Sequence, residues 1–341
     1  MSAHRGFASD NHAGVHPEVM AAIAAANEGH APSYGADAWT ARAQDRFREH
    51  FGPDAHAFLV FNGTAANVLC VEALTQPWEG VICAQSAHLN TDECGAAERA
   101  GRKLLAVDAP DGRLTPELVD PLIVRIGDEH ATQPRVVSIA QTTELGTRYS
   151  RDEIAALADW AHARGMFLHV DGARLCNAAA ALDLSLRELT TDAGVDAVSF
   201  GGTKIGLLGG EAVVLLGQNI AGDFTFRRKQ SMQLASKMRF IAAQFDALLA
   251  GDLWLRAAAH ANAMAQRLAA AVAGLPGVRV TQPVESNAVF AVIDPAATER
   301  LQQDWHFYVW DERTGEVRWM TAWDTAPDDV DAFAAAIADH T

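Results

Sequence analysis

Two charged side chains stand where the sequence otherwise predicts buried strands. Asp171 ends the apolar run of "MFLHVDGAR", and Lys204 lies in "VSFGGTKIGLLGGEAVVLL" between two aliphatic stretches. Burying an ammonium group is costly unless its pKa falls or it finds a partner. Taken singly, Lys204 suits an exposed turn, and Asp171 could simply pair with Arg174 nearby. Found together at strand ends, they predict a site that uses a carboxylate and an amine.

Two further groups follow predicted strands. In "FLVFNGTAAN", Gly63 and Thr64 open a predicted helix. Free N–H groups and the positive end of the helix dipole at such a turn suit a phosphate. His88, in "ICAQSAHLNTDECGA", also follows a strand. Each signal is weak alone, because strand-to-helix turns and ordinary polar histidines are common.

The combination of these groups predicts a pyridoxal phosphate site. In this interpretation Lys204 forms a Schiff base, Asp171 keeps the pyridine nitrogen protonated, and the helix start holds the phosphate. His88 would stack on the ring. A nucleotide site is excluded in detail, because "GGTKIG" has neither the Walker spacing nor a Ser/Thr after the lysine, and no GxGxxG follows a strand.

The predicted elements explain how these groups could meet. Short apolar strands alternate with amphipathic helices through most of the chain, which predicts an α/β domain with a mostly parallel sheet. Ligands of such sheets bind at the carboxyl ends of the strands. After the long helical stretch that begins near residue 227, the pattern changes to strands without Gly-rich turns. We therefore expect a large cofactor-binding domain over 1–246 and a small α+β domain over 247–341.

Composition narrows the class of protein. The 341 residues are 49% hydrophobic and 21% charged, and the net charge of −16 argues against nucleic-acid binding. Four cysteines without a CxxC pair, and histidines without an HExxH motif, argue against a metal site and favour reduced intracellular thiols. No apolar run has membrane-spanning length, and the first residues have no signal-peptide core. We expect a cytoplasmic protein without membrane partners.

The order of these motifs resembles that of a known family. "FASDNHAGVHPEVMAAI", "SYGAD", "NGTAANV", "SAHLNTDECGA", "HVDGAR", "SFGGTK", "KMRF" and "EVRWMTAWD" are similar to segments of the threonine aldolases, which belong to the β-eliminating lyases with the aspartate-aminotransferase fold. The resemblance covers nearly the whole chain. It implies the fold-type-I architecture of pyridoxal 5′-phosphate enzymes, with a small C-terminal domain.

The resemblance also implies residue roles. The catalytic residues it implies are Lys204, His88 and Asp171. The implied cofactor-binding residues are Lys204, Asp171, Gly63, Thr64, His88, Arg174, Thr203 and Arg239. The implied substrate-binding residues are Ser9, Arg174, Arg318 and Tyr34. Family members are tetramers built from dimers, in which the counterparts of Arg239 and Tyr34 reach the neighbouring subunit; Arg228 and Lys229 are less securely matched. No metal is implied.

Three positions depart from the family's pattern. Gln141 stands at a position that is often acidic, Thr203 replaces a serine before the lysine and keeps its hydroxyl, and Ala322 stands where many relatives carry histidine. These departures concern the pocket for the substrate's side chain more than the cofactor. Trp319 and Trp323 suit core packing or, alternatively, an aromatic substrate preference.

The expected activity is cleavage of L-threonine, L-allo-threonine or an aryl β-hydroxy amino acid to glycine and an aldehyde. The base for the β-hydroxyl is left open between His88 and an ordered water. β-Elimination or racemisation at the same site is the alternative within enzymes, since a fold does not fix its chemistry. A non-catalytic scaffold is the alternative outside them, and the joint presence of Lys204, Asp171 and His88 argues against it.

Overall fold

A large sheet forms the centre of the protein. The computed structural model describes residues 5–217 and 220–341. The strands of this sheet are β1 (His56–Val60), β2 (Glu79–Ala84), β3 (Lys103–Val107), β4 (Gln133–Ala140), β5 (Phe167–Gly172), β6 (Ala197–Gly201) and β7 (Glu211–Leu215). Their order is β1-β7-β6-β5-β4-β2-β3, and only β7 runs antiparallel to its neighbours. The prediction of a mostly parallel sheet is confirmed.

A second, antiparallel sheet lies in the C-terminal part. Its strands are β8 (Arg279–Val280), β9 (Ala288–Val292), β10 (Tyr308–Asp311) and β11 (Glu316–Met320), in the order β10-β11-β9-β8. Sequence analysis predicted these strands and their α+β character. The domain boundary after residue 246 stays a prediction.

Helices cover both sheets. They are α1 (Pro17–Ala26), α2 (Ala38–Phe51), α3 (Gly63–Leu74), α4 (His88–Thr91), α5 (Ala96–Arg99), α6 (Pro116–Val119), α7 (Arg151–His162), α8 (Leu175–Leu182), α9 (Phe224–Gln230), α10 (Arg239–Leu249), α11 (Leu253–Val272), α12 (Pro295–Leu301) and α13 (Pro327–His340). Within residues 5–217 and 220–341, none is both long and apolar enough to cross a membrane.

Local sequence explains where these helices begin and end. The predicted capping box of α7 is present, with Glu153 N bonded to Ser150 Oγ and the Glu153 carboxylate accepting from Ser150 N. The sequence "TPELVDPLIVRIG" predicts a single helix, but the segment forms only α6 and a 3-10 turn at Asp120–Leu122. Its second proline, Pro121, has no N–H to continue an α-helix. The long helical stretch after residue 227 is divided into three helices.

The N-terminal segment contacts the C-terminal part through Phe7 and the large-sheet part through Asp10. Phe7 is fully buried in the second core, where its ring stacks on Phe333 at 4.5 Å between centroids. Its N–H donates to His306 O, and its carbonyl accepts from Met320 N, each at 2.7 Å. This pairing carries the next residues, including the buried Asp10, towards the carboxyl end of the large sheet.

Two glycines before Lys204 allow the backbone to pack closely there. A Cβ on Gly201 would lie 2.6 Å from Ala173 O, and one on Gly202 would lie 2.6 Å from Gly210 O. Both contacts are with backbone, which cannot swing away. The turn that presents Lys204 therefore depends on the absence of side chains at these positions.

Gly201→Ala is expected to destabilise the protein by about 1–3 kcal/mol, because backbone must move to admit the methyl group. The measurement is the free energy of unfolding in urea. Gly14→Ala is the matched control, since a Cβ there meets nothing within 4 Å, and its effect should stay within about 1 kcal/mol. Equal stability of the two variants would show that the Gly201 contact is not tight.

Candidate active site

The predicted chemical groups meet in one cavity. A cavity of about 320 Å³ opens at the carboxyl ends of β5 and β6 and at the start of α3. Its lining includes six of the predicted site residues: Gly63, Thr64, His88, Asp171, Thr203 and Lys204. The parallel strands bring these distant positions together as the sequence predicts.

The start of α3 forms one end of the cavity. Asn62 caps the helix, with its Oδ1 accepting from Ala65 N at 2.9 Å. The N–H groups of Gly63 and Thr64 belong to the first turn, where no intrahelical acceptor exists for them. A Cβ on Gly63 would meet nothing within 4 Å, so this backbone is open to the cavity. These features suit an oxyanion such as phosphate.

Lys204 lies directly after β6 in the 3-10 turn Thr203–Ile205. Burial, reinforced by the Arg174 guanidinium, lowers the pKa of Lys204. A lowered pKa increases the fraction of neutral amine, which is the nucleophilic form. The Thr203 hydroxyl accepts from Gly210 N at 3.3 Å and so braces the turn. The turn therefore presents an amine that loses its proton more easily than an exposed lysine does.

Asp171 is fixed on the opposite wall. Its Oδ2 accepts from Asn67 Nδ2 at 2.8 Å, and its Oδ1 accepts from Ala173 N at 3.0 Å. Asn67 is itself buried, and its Oδ1 accepts from the Ser199 hydroxyl. These hydrogen bonds fix the orientation of the carboxylate. Asp171 does not form an ion pair with Arg174, which pairs with Asp10 instead.

His88 begins α4 and lines the same cavity. Its Nδ1 lies 2.9 Å from Oε1 of Glu93, whose side chain is fully buried. The hydrogen bond to Glu93 raises the pKa of His88. Glu93 also accepts from Asn67 at 2.8 Å. One amide thus connects the groups that hold His88 and Asp171 in place.

Arg174 and Arg318 lie close enough for their charges to interact. Arg174 donates from Nε and Nη2 to Asp10, at 2.7 and 3.0 Å. Arg318 donates to Ala8 O at 3.2 Å, and its guanidinium lies 4.8 Å from the Trp310 ring centroid. Burial and the charge of Arg174 lower the pKa of Arg318 to about 10.

Within the described residues, Asp10 is the one carboxylate that hydrogen-bonds to this pair of arginines. Asp10 is 2% exposed and is the carboxylate that pairs with Arg174. The Nε of Arg318 is buried without a hydrogen-bond partner in the described part of the chain. Two guanidinium groups beside one carboxylate favour binding of a further anion. A substrate carboxylate has the matching charge and shape.

Besides Arg174 and Arg318, three predicted residues do not line this cavity. Ser9 Oγ accepts from Asn11 N at 3.2 Å and caps the 3-10 turn Asp10–His12. Tyr34 is 54% exposed, with Lys229 Nζ 5.3 Å from its ring centroid. Arg239 begins α10 and donates to Gly29 O. The predicted roles of Tyr34 and Arg239 at a neighbouring subunit stay predictions.

The structure shows the contacts of Gln141 and of the two tryptophans noted beside the departures from the family's pattern. Gln141 is fully buried and exchanges two hydrogen bonds with the backbone of Tyr149, at 2.8 and 3.0 Å. It is a structural residue that holds the loop after β4. Trp319 is fully buried in the second core, as the packing interpretation predicts. Trp323 Nε1 donates to Gly14 O at 3.1 Å.

Sequence reasoning missed several polar residues of the site. They are Asp10, Asn67, Glu93, Glu144 and Glu211. Glu93 is five residues after His88, and Asp10 directly follows Ser9. Their closeness in sequence to predicted site residues is the signal that could have identified them. Glu211 accepts from Gly202 N at 2.8 Å, and burial raises its pKa. Nothing in the local sequence marks Asn67, which looks like an ordinary helix residue.

Comparison with known proteins agrees with this geometry. The family model described as β-eliminating lyase matches residues 6–296. The chain is 48% identical to the low specificity L-threonine aldolase of Pseudomonas aeruginosa, over 94% of this chain and 93% of that protein. It is 46% identical to an enzyme of the same name from another Pseudomonas strain, over 97% and 96%.

A solved structure shows the same fold. It is a threonine aldolase of Leishmania major, which superimposes with a TM-score of 0.92 at 29% identity and covers 97% of this chain and 98% of that one. The match extends over both sheets. The family model spans most of the chain, and the two Pseudomonas relatives cover it almost completely. This protein belongs to the β-eliminating lyase family.

Proposed function

We propose that this protein is a pyridoxal phosphate-dependent aldolase that cleaves β-hydroxy-α-amino acids to glycine and an aldehyde. The substrates we expect are L-threonine, L-allo-threonine and aryl β-hydroxy amino acids. The observation that carries the proposal is the pair of adjoining cavities that share Asp171 and Lys204, whose pKa is lowered; Arg174 lines the smaller cavity. The Pseudomonas relatives named low specificity L-threonine aldolase support the same activity.

The residues of the cavity suit the cofactor. Gly63 and Thr64 would bind its phosphate through open backbone N–H groups, and Asp171 would pair with the protonated ring nitrogen. Lys204 Nζ would bind it covalently, and His88 would pack against its ring. Bound there, pyridoxal phosphate supplies a carbonyl that amines attack and a ring that accepts an electron pair.

The chain's own residues then orient the substrate. Arg174 is held by Asp10 through Nε and Nη2, so its remaining N–H groups are aimed by a fixed pair. Arg318 would supply the second half of a carboxylate clamp. When the amine and the carboxylate are both held, the rotation about the Cα–N bond is fixed. That rotation decides which bond to Cα is aligned for cleavage.

The products separate this activity from its alternatives. Purified protein loaded with pyridoxal phosphate is incubated with a panel of β-hydroxy amino acids, and glycine and aldehyde are quantified. We expect both in equal amounts. Ammonia with a keto acid would indicate β-elimination, a loss of optical activity alone would indicate racemisation, and no turnover would indicate a scaffold; each result would overturn the proposal.

Arg318→Ala is expected to lower kcat/KM by about 30- to 1,000-fold, corresponding to about 2–4 kcal/mol of lost transition-state binding. The reason is loss of a charge-assisted contact to the substrate carboxylate. Cofactor binding, followed by its absorption band, should be unchanged because Arg318 does not line the larger cavity. Steady-state kinetics on the best substrate of the panel supply the measurement.

Two further variants test whether the loss in Arg318→Ala comes from the guanidinium group at that position. Arg318→Lys should restore little activity, because a point charge lacks the planar fork of a guanidinium. Arg313→Ala is the matched control, since Arg313 is exposed near the same β10–β11 connection and pairs only locally with Asp311. Wild-type kinetics in Arg318→Ala would place the carboxylate site elsewhere.

We further infer a homotetramer built from dimers and a cytoplasmic location, in line with the resemblance. Exposed apolar side chains near the cavity mouth, among them Phe61 and Leu208, support contact with another subunit. Light scattering measures the oligomeric mass directly. A monomer at enzyme concentrations that sustain full turnover would contradict the assembly.

A further inference from the structure

A small cavity extends the site away from the phosphate end. It has a volume of about 60 Å³ and shares Lys204, Asp171 and His88 with the larger cavity. Its far wall is formed by Thr142 and Glu144, in the loop that follows β4. Arg174 lies on its edge. A group bound between Lys204 and Arg174 would therefore have Glu144 beside it.

Glu144 has one oxygen engaged and one oxygen free. Its Oε1 accepts from His88 N at 2.7 Å, at the start of α4. Its Oε2 is buried, although the residue as a whole is partly exposed, and it has no hydrogen-bond partner in the described part of the chain. A buried polar atom without a partner is uncommon and calls for a ligand or a chemical role. The cavity beside Oε2 gives room for either.

The charges around Glu144 keep it close to its titration point. Burial, and then the charge of Asp171, raise the pKa of Glu144 to about 7. The hydrogen bond from His88 N and the His88 ring act in the opposite direction. The charge of Glu144 also acts on three other titratable groups, which are Cys83, Tyr149 and Arg174. A carboxyl group in this state gains or loses a proton near neutral pH.

His88 is less suited to that task. Its Nδ1 is occupied by Glu93, and the hydrogen bond to Glu93 raises the pKa of the ring, which favours the protonated form. A protonated imidazole cannot accept another proton. Glu144 has an oxygen without a hydrogen-bond partner in the smaller cavity. It can therefore act as the base for the β-hydroxyl, the role that the sequence left open between His88 and an ordered water.

We propose that Glu144 is the catalytic residue that accepts the β-hydroxyl proton of the substrate at Oε2, an inference that rests on the proposed function. The O–H bond breaks and its electron pair forms the aldehyde C=O. The Cα–Cβ bond breaks, and its electron pair passes to the electron sink that pyridoxal phosphate supplies. The proton held at Glu144 Oε2, or one exchanged for it with solvent, is then delivered to Cα to give glycine and to restore the carboxylate, so atoms and charges balance.

The primary variant is Glu144→Gln in the holoenzyme. The amide oxygen can still accept from His88 N, so the variant removes the proton acceptor and little else. We expect kcat for cleavage to fall about 10²- to 10⁴-fold, the usual contribution of a general base. The affinity for glycine, which has no β-hydroxyl, should stay within about twofold of wild type, because the contacts to the carboxylate and amine remain.

The pH dependence gives an independent readout. A base acts when deprotonated, so wild-type kcat should rise with pH through about 7 and then level off. Glu144→Gln should lose that rise. Glu144→Asp retains a carboxyl group and should keep a rise with pH at a reduced rate, which serves as the test if the glutamine variant does not fold.

Infrared spectroscopy of the holoenzyme without substrate tests the carboxyl group directly. The carbonyl band of a protonated carboxylic acid should disappear as pH rises through about 7 in wild type and should be absent from Glu144→Gln. Glu93→Gln is the matched control for assignment, because it removes the other buried glutamate beside His88 and should leave the titrating band in place.

The outcomes separate two failures. If wild type cleaves β-hydroxy amino acids and Glu144→Gln keeps both the rate and the rise with pH, Glu144 is not the base. A titrating band that persists in Glu144→Gln would also overturn the assignment. If wild type releases no glycine and aldehyde, the proposed function itself fails.

Discussion

Lys204→Ala is expected to abolish turnover, with a loss on the order of 10⁴-fold or more, because the covalent anchor of the cofactor is removed. The variant should stay folded. Lys204 lies in a short 3-10 turn rather than in an α-helix or strand, and the glycines that shape the turn are unchanged. Steady-state kinetics measure the loss, and circular dichroism with light scattering measures fold and assembly.

The matched control is Lys103→Ala. Lys103 is an exposed residue at the start of β3, the edge strand of the large sheet. Its removal should leave kcat within about twofold of wild type, as is usual for a surface substitution. Substantial activity in Lys204→Ala, under conditions where Lys103→Ala is normal, would refute the covalent mechanism.

Asp171→Asn is expected to lower kcat by about 10²- to 10⁴-fold while the protein still folds and binds cofactor. A neutral amide cannot hold the ring nitrogen of the cofactor protonated, so the ring becomes a weaker acceptor of the electron pair. The amide oxygen can still accept from Ala173 N, which preserves the turn after β5. Kinetics and the absorption spectrum of the bound cofactor supply the measurement.

The structure removes one alternative explanation for such a loss. Arg174 is held by Asp10 rather than by Asp171, so Asp171→Asn should not release it. The affinity for glycine, which reports on carboxylate binding, should therefore change little. A normal rate in this variant would mean that Asp171 has only a structural role, and a large loss of glycine affinity would mean that it acts through Arg174.

Much of the fold follows from local patterns. Apolar runs of strand length, such as β5 and β6, can be recognised because a strand buried on both faces has no polar alternation. Once the sheet is expected to be parallel, the convergence of Asp171, Lys204 and His88 follows from topology alone. The predicted helix after Thr115 failed because Pro121 stops it, which the sequence does display.

The residues that hold the site together could not be found in the same way. Asp10 reaches Arg174 from a segment that Phe7 anchors in the second core, and these contacts join parts of the chain far apart in sequence. The sequence shows Gln141 as a departure from an often acidic position, but it does not mark Glu144, three residues later, as a site residue. Gln141 holds the backbone of Tyr149, whereas the acid that lines the cavity is Glu144.

The central claim is that Lys204 is the covalent anchor of pyridoxal phosphate. Sodium borohydride makes a lysine–pyridoxal linkage permanent, and peptide mass spectrometry then locates the modified residue. The account predicts bleaching of the absorption band of the holoenzyme and a pyridoxyl group on the peptide that contains Lys204, absent from Lys204→Ala. A label on another lysine, such as Lys229 beside Tyr34, or no label in a protein that releases glycine and aldehyde, would contradict it.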